Sequence, residues 1–174
     1  MFDLHDFIGR CEQYAKDKAN GATEIHNLLA ESVRHPEELA KSLPPLDDEE
    51  LLLHASSELT IVRIRQSPNV HYPPHNHNMT AMIGSYQGVE RNFYYKHEDS
   101  KLIQTHYEDL HAEQVLHMRP DTIHSVVNIG DSYSAALHVY VGDLLLQKRF
   151  IWDPVTFEPH QYSDENYFGL AQPY

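Results

Sequence analysis

From residue 59 onward the chain is a succession of short β-forming runs, each closed by residues that favour turns. The runs fall at 59–65, 80–86, 89–96, 102–107, 114–118, 123–127, 134–141 and 148–152. Between them stand Pro68-Asn69, Gln87-Gly88, Glu98-Asp99-Ser100, Pro120-Asp121, Ile129-Gly130-Asp131 and Gly142-Asp143. Glycine and asparagine reach backbone angles that β-branched residues avoid, and proline removes a ladder donor, so these pairs end strands. Strands arriving every ~8–12 residues with no helical stretch between them exclude a βαβ sheet and predict a sandwich or barrel.

The first third has a different period. Leu4, Phe7, Ile8, Cys11, Tyr14 and Ala15 recur at helical spacing up to Asn20-Gly21. Thr23 is expected to cap a second helix that buries Ile25, Leu28, Leu29 and Val33. Pro36 suits the first turn of a third, and Pro44-Pro45 ends it. The expected organisation is one domain over 1–174: a helical segment at 1–56, a β barrel at 57–153 and an irregular strap at 154–174.

Charge narrows the partners. Twenty-six acidic against thirteen basic side chains give a net charge of -13, so phosphate backbones and anionic lipid surfaces are not attracted. No run approaches the ~20 apolar residues of a membrane helix. The first ten residues carry Asp3 and Asp6 where a secretory signal is basic and then apolar, so the expected compartment is the cytoplasm. The expected partners are small molecules, with no nucleic acid and no membrane, for a monomer or homodimer. The single cysteine, Cys11, excludes an internal disulfide and a thiolate cluster, and its place on a helical stripe makes it a small core residue.

Histidine is the anomaly: there are fourteen, more than all lysines and arginines together. His75-Asn76-His77 puts two imidazoles on one face of an extended segment, a geometry for two ligands of one metal. With fourteen histidines about one such pair arises by chance, so its surroundings decide its meaning. Pro73-Pro74 stiffens the approach to it, Gly88 closes the strand that follows, and His124 with Asn128 opens a later strand. The histidines without a partner at metal spacing read as surface residues.

This layout resembles the two motifs of the cupin superfamily, a jelly-roll barrel (double-stranded β-helix) holding one metal. The first motif has His-x-His, an acidic ligand and glycine; the second has histidine and, four residues later, asparagine. His75, His77, Gly88, His124 and Asn128 match. The acidic ligand's place falls on Ala81, which strand parity supports, or on Met82, which points the other way; neither binds a hard cation. A three-histidine centre of His75, His77 and His124 remains.

Within that superfamily the chain resembles the cysteine dioxygenase type I group of thiol dioxygenases, which use iron(II) on three histidines. The resemblance spans roughly residues 59–153 and includes Ala136-Leu137-His138-Val139-Tyr140, where the group has Ser-x-His-x-Tyr. It implies Tyr140 as hydrogen-bond donor to oxygen or substrate, His138 as its orienting partner, and Fe(2+) as cofactor. Ala136 replaces the serine that begins the group's relay, and Asn76 replaces the usual aspartate. Cysteine-specific relatives use an arginine upstream of His-x-His, and the corresponding stretch at 50–57 offers none. Relatives preferring 3-mercaptopropionate use an arginine nine residues after the tyrosine, where Arg149 stands. Arg63 and Arg65 are rivals on the preceding strand, and Trp152-Asp153-Pro154 reads as structural.

Three neutral imidazoles leave a divalent cation its full charge and favour an anionic ligand such as a thiol of pKa ~8.5 bound as thiolate. The expected reaction joins a small thiol and O2 into a sulfinate, with 3-mercaptopropionate ahead of cysteine because no group for an amine is identifiable. The alternatives are a cupin enzyme of another class, such as an isomerase or a carbon-substrate dioxygenase on zinc, nickel or manganese, and a non-catalytic metal-binding cupin.

Overall fold

The period-two runs become two facing antiparallel sheets. The computed structural model describes residues 2–99 and 101–174; Met1 and Ser100, the latter in the expected 98–100 turn, lie outside the described residues. The first sheet is ordered β1-β2-β9-β4-β7, from Glu50–Ala55, Thr60–Gln66, Ser134–Tyr140, Ala81–Gln87 and Val115–Met118. The second runs β11-β10-β3-β8-β5-β6, from Pro159–Gln161, Phe150–Trp152, Val70–Asn76, Ile123–Asn128, Val89–Glu98 and Lys101–His111. A last short strand, β12 (Gln172–Pro173), pairs with β3.

From β2 to β9 each strand crosses to the opposite sheet, except at the β5–β6 hairpin, which places them 2-9-4-7 and 3-8-5-6. That winding is a jelly roll, the double-stranded β-helix expected from the sequence. Gly88 makes the turn from β4 to β5 possible. Its φ is +75°, and a Cβ there would stand 2.9 Å from the Ser134 Cα.

Side-chain alternation divides the first sheet into two faces. Ile61, Met82, Leu137 and Val139 point outward to the helices, whereas Val62, Ile83, Ala136 and Tyr140 point into the barrel. The helices α1 (Leu4–Ala15), α2 (Gly21–Val33) and α3 (Pro36–Ser42) lay Phe7, Cys11, Leu29, Val33 and Leu39 on the outer face. Contact is close at Gly84, where a Cβ would meet Leu29 at 2.7 Å. Cys11 is buried, and its thiol is pushed up to about 12 by burial, as suits a core residue.

Three expectations are corrected. Thr23 lies inside α2, whose cap position is Asn20. Residues 50–55, expected within the helical segment, form β1 on the edge of the first sheet: a run rich in Glu, Leu and Ala favours a helix locally, but pairing with β2 wins. The tail is no irregular strap, since it forms β11, the helix α4 (Asp164–Gly169) and β12. Ser163 caps α4 by accepting from the Asn166 amide. Among the described residues no helix is long and apolar enough to cross a membrane.

Candidate metal centre

Pro73-Pro74 sits inside β3, where proline cannot donate to a ladder. The β3–β8 register accordingly shifts between Tyr72 and His75. This bulge lets both side chains face the barrel interior and frees the Pro73 carbonyl, which His75 Nδ1 meets at 3.0 Å. A carbonyl only accepts, so His75 carries its proton on Nδ1 and turns the Nε2 lone pair inward. On β8, His124 stands opposite His75, and its Nδ1 lies 3.0 Å from Asn92 Oδ1 on β5. The same logic leaves His124 Nε2 as an inward lone pair.

His77 follows β3 directly and brings its Nε2 to 3.1 Å from His124 Nε2. One nitrogen of each of His75, His77 and His124 lies within 4.8 Å of the others, and all three rings are buried. Two imidazole nitrogens ~2.1 Å from one cation stand roughly 3.0–3.4 Å apart, so the 3.1 Å between His77 and His124 fits a shared ion. Burial holds His75 down at about 4, and burial and the neighbouring rings hold His77 and His124 well below the usual histidine range. All three are neutral at pH 7, the form that binds metal. On His75 and His124 outer hydrogen bonds lock the lone pairs inward, as around a bound metal, whereas His77 Nδ1 is buried with no partner among the described residues.

Ala81, at the place of the acidic ligand, lies in the interior beside Met118 and Tyr140, and Met82 points outward to the helices. Neither contributes a ligand atom. Asn128 ties the β8–β9 turn, donating to the Gln66 and Ser132 carbonyls and accepting from the Gly130 amide.

On the opposite wall β9 carries His138 and Tyr140. His138 Nδ1 lies 3.1 Å from the Tyr140 hydroxyl, and the Tyr140 ring stands 5.0 Å from that of His77. Burial keeps the phenol protonated and holds His138 down at about 3. His138 Nε2 is buried with no hydrogen-bond partner among the described residues, and Ala136, two residues earlier, offers no hydroxyl. The relay ends at His138.

These groups open onto a cavity of about 320 Å³, lined also by Leu144, Leu145 and Arg149 and by Tyr162, Asp164 and Tyr167 of the tail. Arg149 lines it, with its guanidinium 3.6 Å from the Tyr162 ring centroid. The two asparagines flanking His77 hold the backbone on either side of Arg149. Asn76 Oδ1 accepts from the Phe150 amide at 2.8 Å, and Asn78 Nδ2 donates to the Lys148 carbonyl at 2.8 Å. Asn76 therefore has a structural task. Arg63 donates to the Tyr86 hydroxyl and the Pro44 carbonyl, and Arg65 stacks on Tyr133, so neither rival lines the cavity.

Sequence reasoning missed Asn92, Glu50, Tyr162 and Tyr167. Asn92 meets His124 across a strand pair, and Tyr167 sets its ring edge-on to His75 at 5.2 Å. Glu50, on β1, puts a carboxyl into the cavity wall, where burial pushes it up to about 7. Only the tail's density of aromatics could have hinted at its part in the cavity.

No protein-family description matches the chain, and no curated protein resembles it in sequence. Solved structures do resemble it in shape. The DMSP lyase DddQ from Ruegeria pomeroyi DSS-3 is 17% identical over 61% of this chain, with a TM-score of 0.49. The matched part is 52% of the lyase's chain, about half its length. An uncharacterized conserved protein with a double-stranded β-helix domain, from Klebsiella pneumoniae subsp. pneumoniae MGH 78578, is 12% identical over 70% of this chain and 86% of its own, with a TM-score of 0.45. Oxalate decarboxylase from Bacillus subtilis, described with manganese(II) centres, is 18% identical over 59% of this chain and 29% of its own, with a TM-score of 0.47. None of these three is named as a thiol dioxygenase.

Proposed function

We propose that this chain is an iron(II)-dependent enzyme that adds both atoms of O2 to the sulfur of a small thiol bearing a carboxylate. The observation that carries this reading is the convergence of three neutral imidazoles, with no acidic ligand, beside a protonated tyrosine in one cavity. Iron(II) held there supplies the electron transfer that lets O2 react with a thiol. The overall change, a thiolate plus O2 giving a sulfinate, balances without a further reductant.

The protein's own groups bind and orient. With the His138 proton on Nδ1 and donated to the Tyr140 oxygen, the phenolic proton would be free to point into the cavity and donate to the reacting oxygen or to substrate. Arg149 offers a planar fork for a carboxylate, and its attachment through Asn76 and Asn78 fixes that fork relative to His77. The tail's Tyr162 and Tyr167 narrow access of water.

Oxygen uptake by iron-loaded protein tests this reading. A thiol bearing a carboxylate should be consumed. Tyr140→Phe should keep its iron but lose ~10²–10⁴-fold in turnover. Arg149→Ala should lose roughly ten- to a hundredfold in kcat/KM for thiols with a carboxylate. No uptake with any thiol, in protein shown to hold iron, would count against the proposal.

One observation favours a second reading, a jelly-roll metalloenzyme of another class such as an isomerase or lyase. Glu50 brings a carboxyl near neutrality into the same cavity, where it suits proton transfer on a carbon substrate. The neighbours' names, a lyase and a decarboxylase, are of this second kind, although likenesses at TM-scores of 0.49 and 0.47 do not choose between the two.

A further inference from the structure

Glu50 is costly where it stands. Its partner across the β1–β2 ladder is Ile64, and Leu52, Val62 and Ile64 make the rest of that wall. Among the described residues none donates a hydrogen bond to its carboxylate, and no cation lies within the 4.0 Å of an ion pair. Glu50 is partly buried, and a partly desolvated carboxylate without a partner is destabilising at a position where a leucine would not be. The group therefore has a task that the folded chain alone does not satisfy.

Arg149 is the complementary case. It lines the same cavity with no carboxylate within ion-pair distance, held against Tyr162 and not against Glu50. The two charges act on the Tyr140 hydroxyl in opposite senses, Glu50 raising its pKa and Arg149 lowering it, so both are within electrostatic reach of the metal centre. The cavity thus presents two carboxyls, Glu50 and the more exposed Asp164 whose charge raises the Glu50 pKa, together with one cation and a cluster of metal-binding nitrogens. Glu50 cannot stand in for the missing relay serine. Its row runs through Ile64 to Ala136, two strand spacings or ~9.6 Å away.

We propose that Glu50 is a receptor for an ammonium group of the substrate, held away from the atom that seeks the metal. The cavity then selects amine-bearing ligands over carboxylates that lack an amine. This supplies the amine site that the sequence does not reveal, and it reverses the expected preference for 3-mercaptopropionate. The inference rests on the proposed thiol chemistry only for the identity of the metal-seeking atom. An arriving ammonium also returns Glu50 to its ionised form, so binding itself removes the cost of burial.

Calorimetric titration of the iron(II)-loaded full chain under argon tests it, with cysteamine, cysteine and 3-mercaptopropionate as probes, and ethylamine and propionate as their sulfur-free counterparts. Glu50→Gln should weaken cysteamine and cysteine by roughly ten- to a hundredfold and leave 3-mercaptopropionate unchanged or tighter. Glu50→Asp, which keeps the charge, should retain part of the preference and guards against a misfolded glutamine variant. Equal effects on amine and amine-free ligands, or none, overturn the proposal. So does a Glu50→Gln variant that loses turnover while binding every ligand as before, which would mark proton transfer instead. Failure of the thiol reading looks different: thiols would bind no more tightly than ethylamine and propionate in either protein, while discrimination by Glu50 persisted.

Discussion

The two coverings of the barrel are made of opposite materials. The outer face of the first sheet lies under α1–α3 in one apolar cluster that includes Phe7, Ile25, Leu29, Val33 and Leu137. The cavity beside the histidines is lined from the tail and from Leu144, Leu145 and Arg149, which together bring Tyr162, Tyr167, Asp164 and the Arg149 guanidinium to it. The first covering gains free energy by burying hydrocarbon, away from the three histidines. The second turns phenols, a guanidinium and a carboxyl toward the cavity, with Tyr167 buried, Tyr162 and Arg149 partly buried and Asp164 exposed, and these stabilise little until something polar fills the space between them. Stability and function are therefore separable by position, and substitutions should divide the same way.

The largest effect is expected under the helices. Leu29→Ala removes a fully buried side chain from the helix-sheet contact and should cost about 2–5 kcal/mol, read by chemical denaturation. Metal affinity of the fraction still folded should be unchanged. A parallel loss of metal affinity would show that the two coverings are coupled.

Glu90 and Asn92 sharpen the comparison, because they lie two residues apart on one face of β5 and serve different ends. Glu90 is 1% exposed, with a hydrogen bond from Ser134, and burial pushes its carboxyl up to about 7. The folded state therefore binds more protons than the unfolded state between the ordinary carboxylate pKa and about 7, so stability falls as pH rises through that window. Glu90→Gln should stabilise the protein by about 2–3 kcal/mol at pH 8 and by almost nothing at pH 4, as read from denaturation midpoints. Asn92→Ala should do the reverse. It frees His124 to rotate, so metal affinity should fall ~10–100-fold with little change in the melting of the metal-free protein.

What the sequence disclosed follows the same division. Local periodicity placed most strands of the jelly roll to within a few residues, as with 123–127 against Ile123–Asn128, because alternation is written into neighbouring side chains, but it missed β3 at Val70–Asn76, where Pro73-Pro74 interrupts the pattern. Alternate spacing marked His75 and His77, the resemblance to the cupin motifs added His124, and the fold brings the three together. Long-range partners left no such trace. Asn92 reaches His124 across 32 residues and Asn76 reaches Phe150 across 74, and neither asparagine looks unusual in its own segment. Glu50 was hidden because its segment favours a helix, and its place in the cavity wall exists only once β1 pairs with β2. The tail misled for a related reason: strands as short as β11 and β12 carry no periodicity to detect.

The account turns on whether His75, His77 and His124 hold one metal ion, and an anaerobic iron(II) titration of metal-free protein, followed by iron analysis of the desalted complex, measures that directly. Wild type should retain one equivalent. His124→Ala, with circular dichroism showing an intact β fold, should retain none at the same concentration, because two imidazoles do not replace three. A full equivalent in His124→Ala, or none in wild type, would contradict the assignment of this cluster as a metal centre.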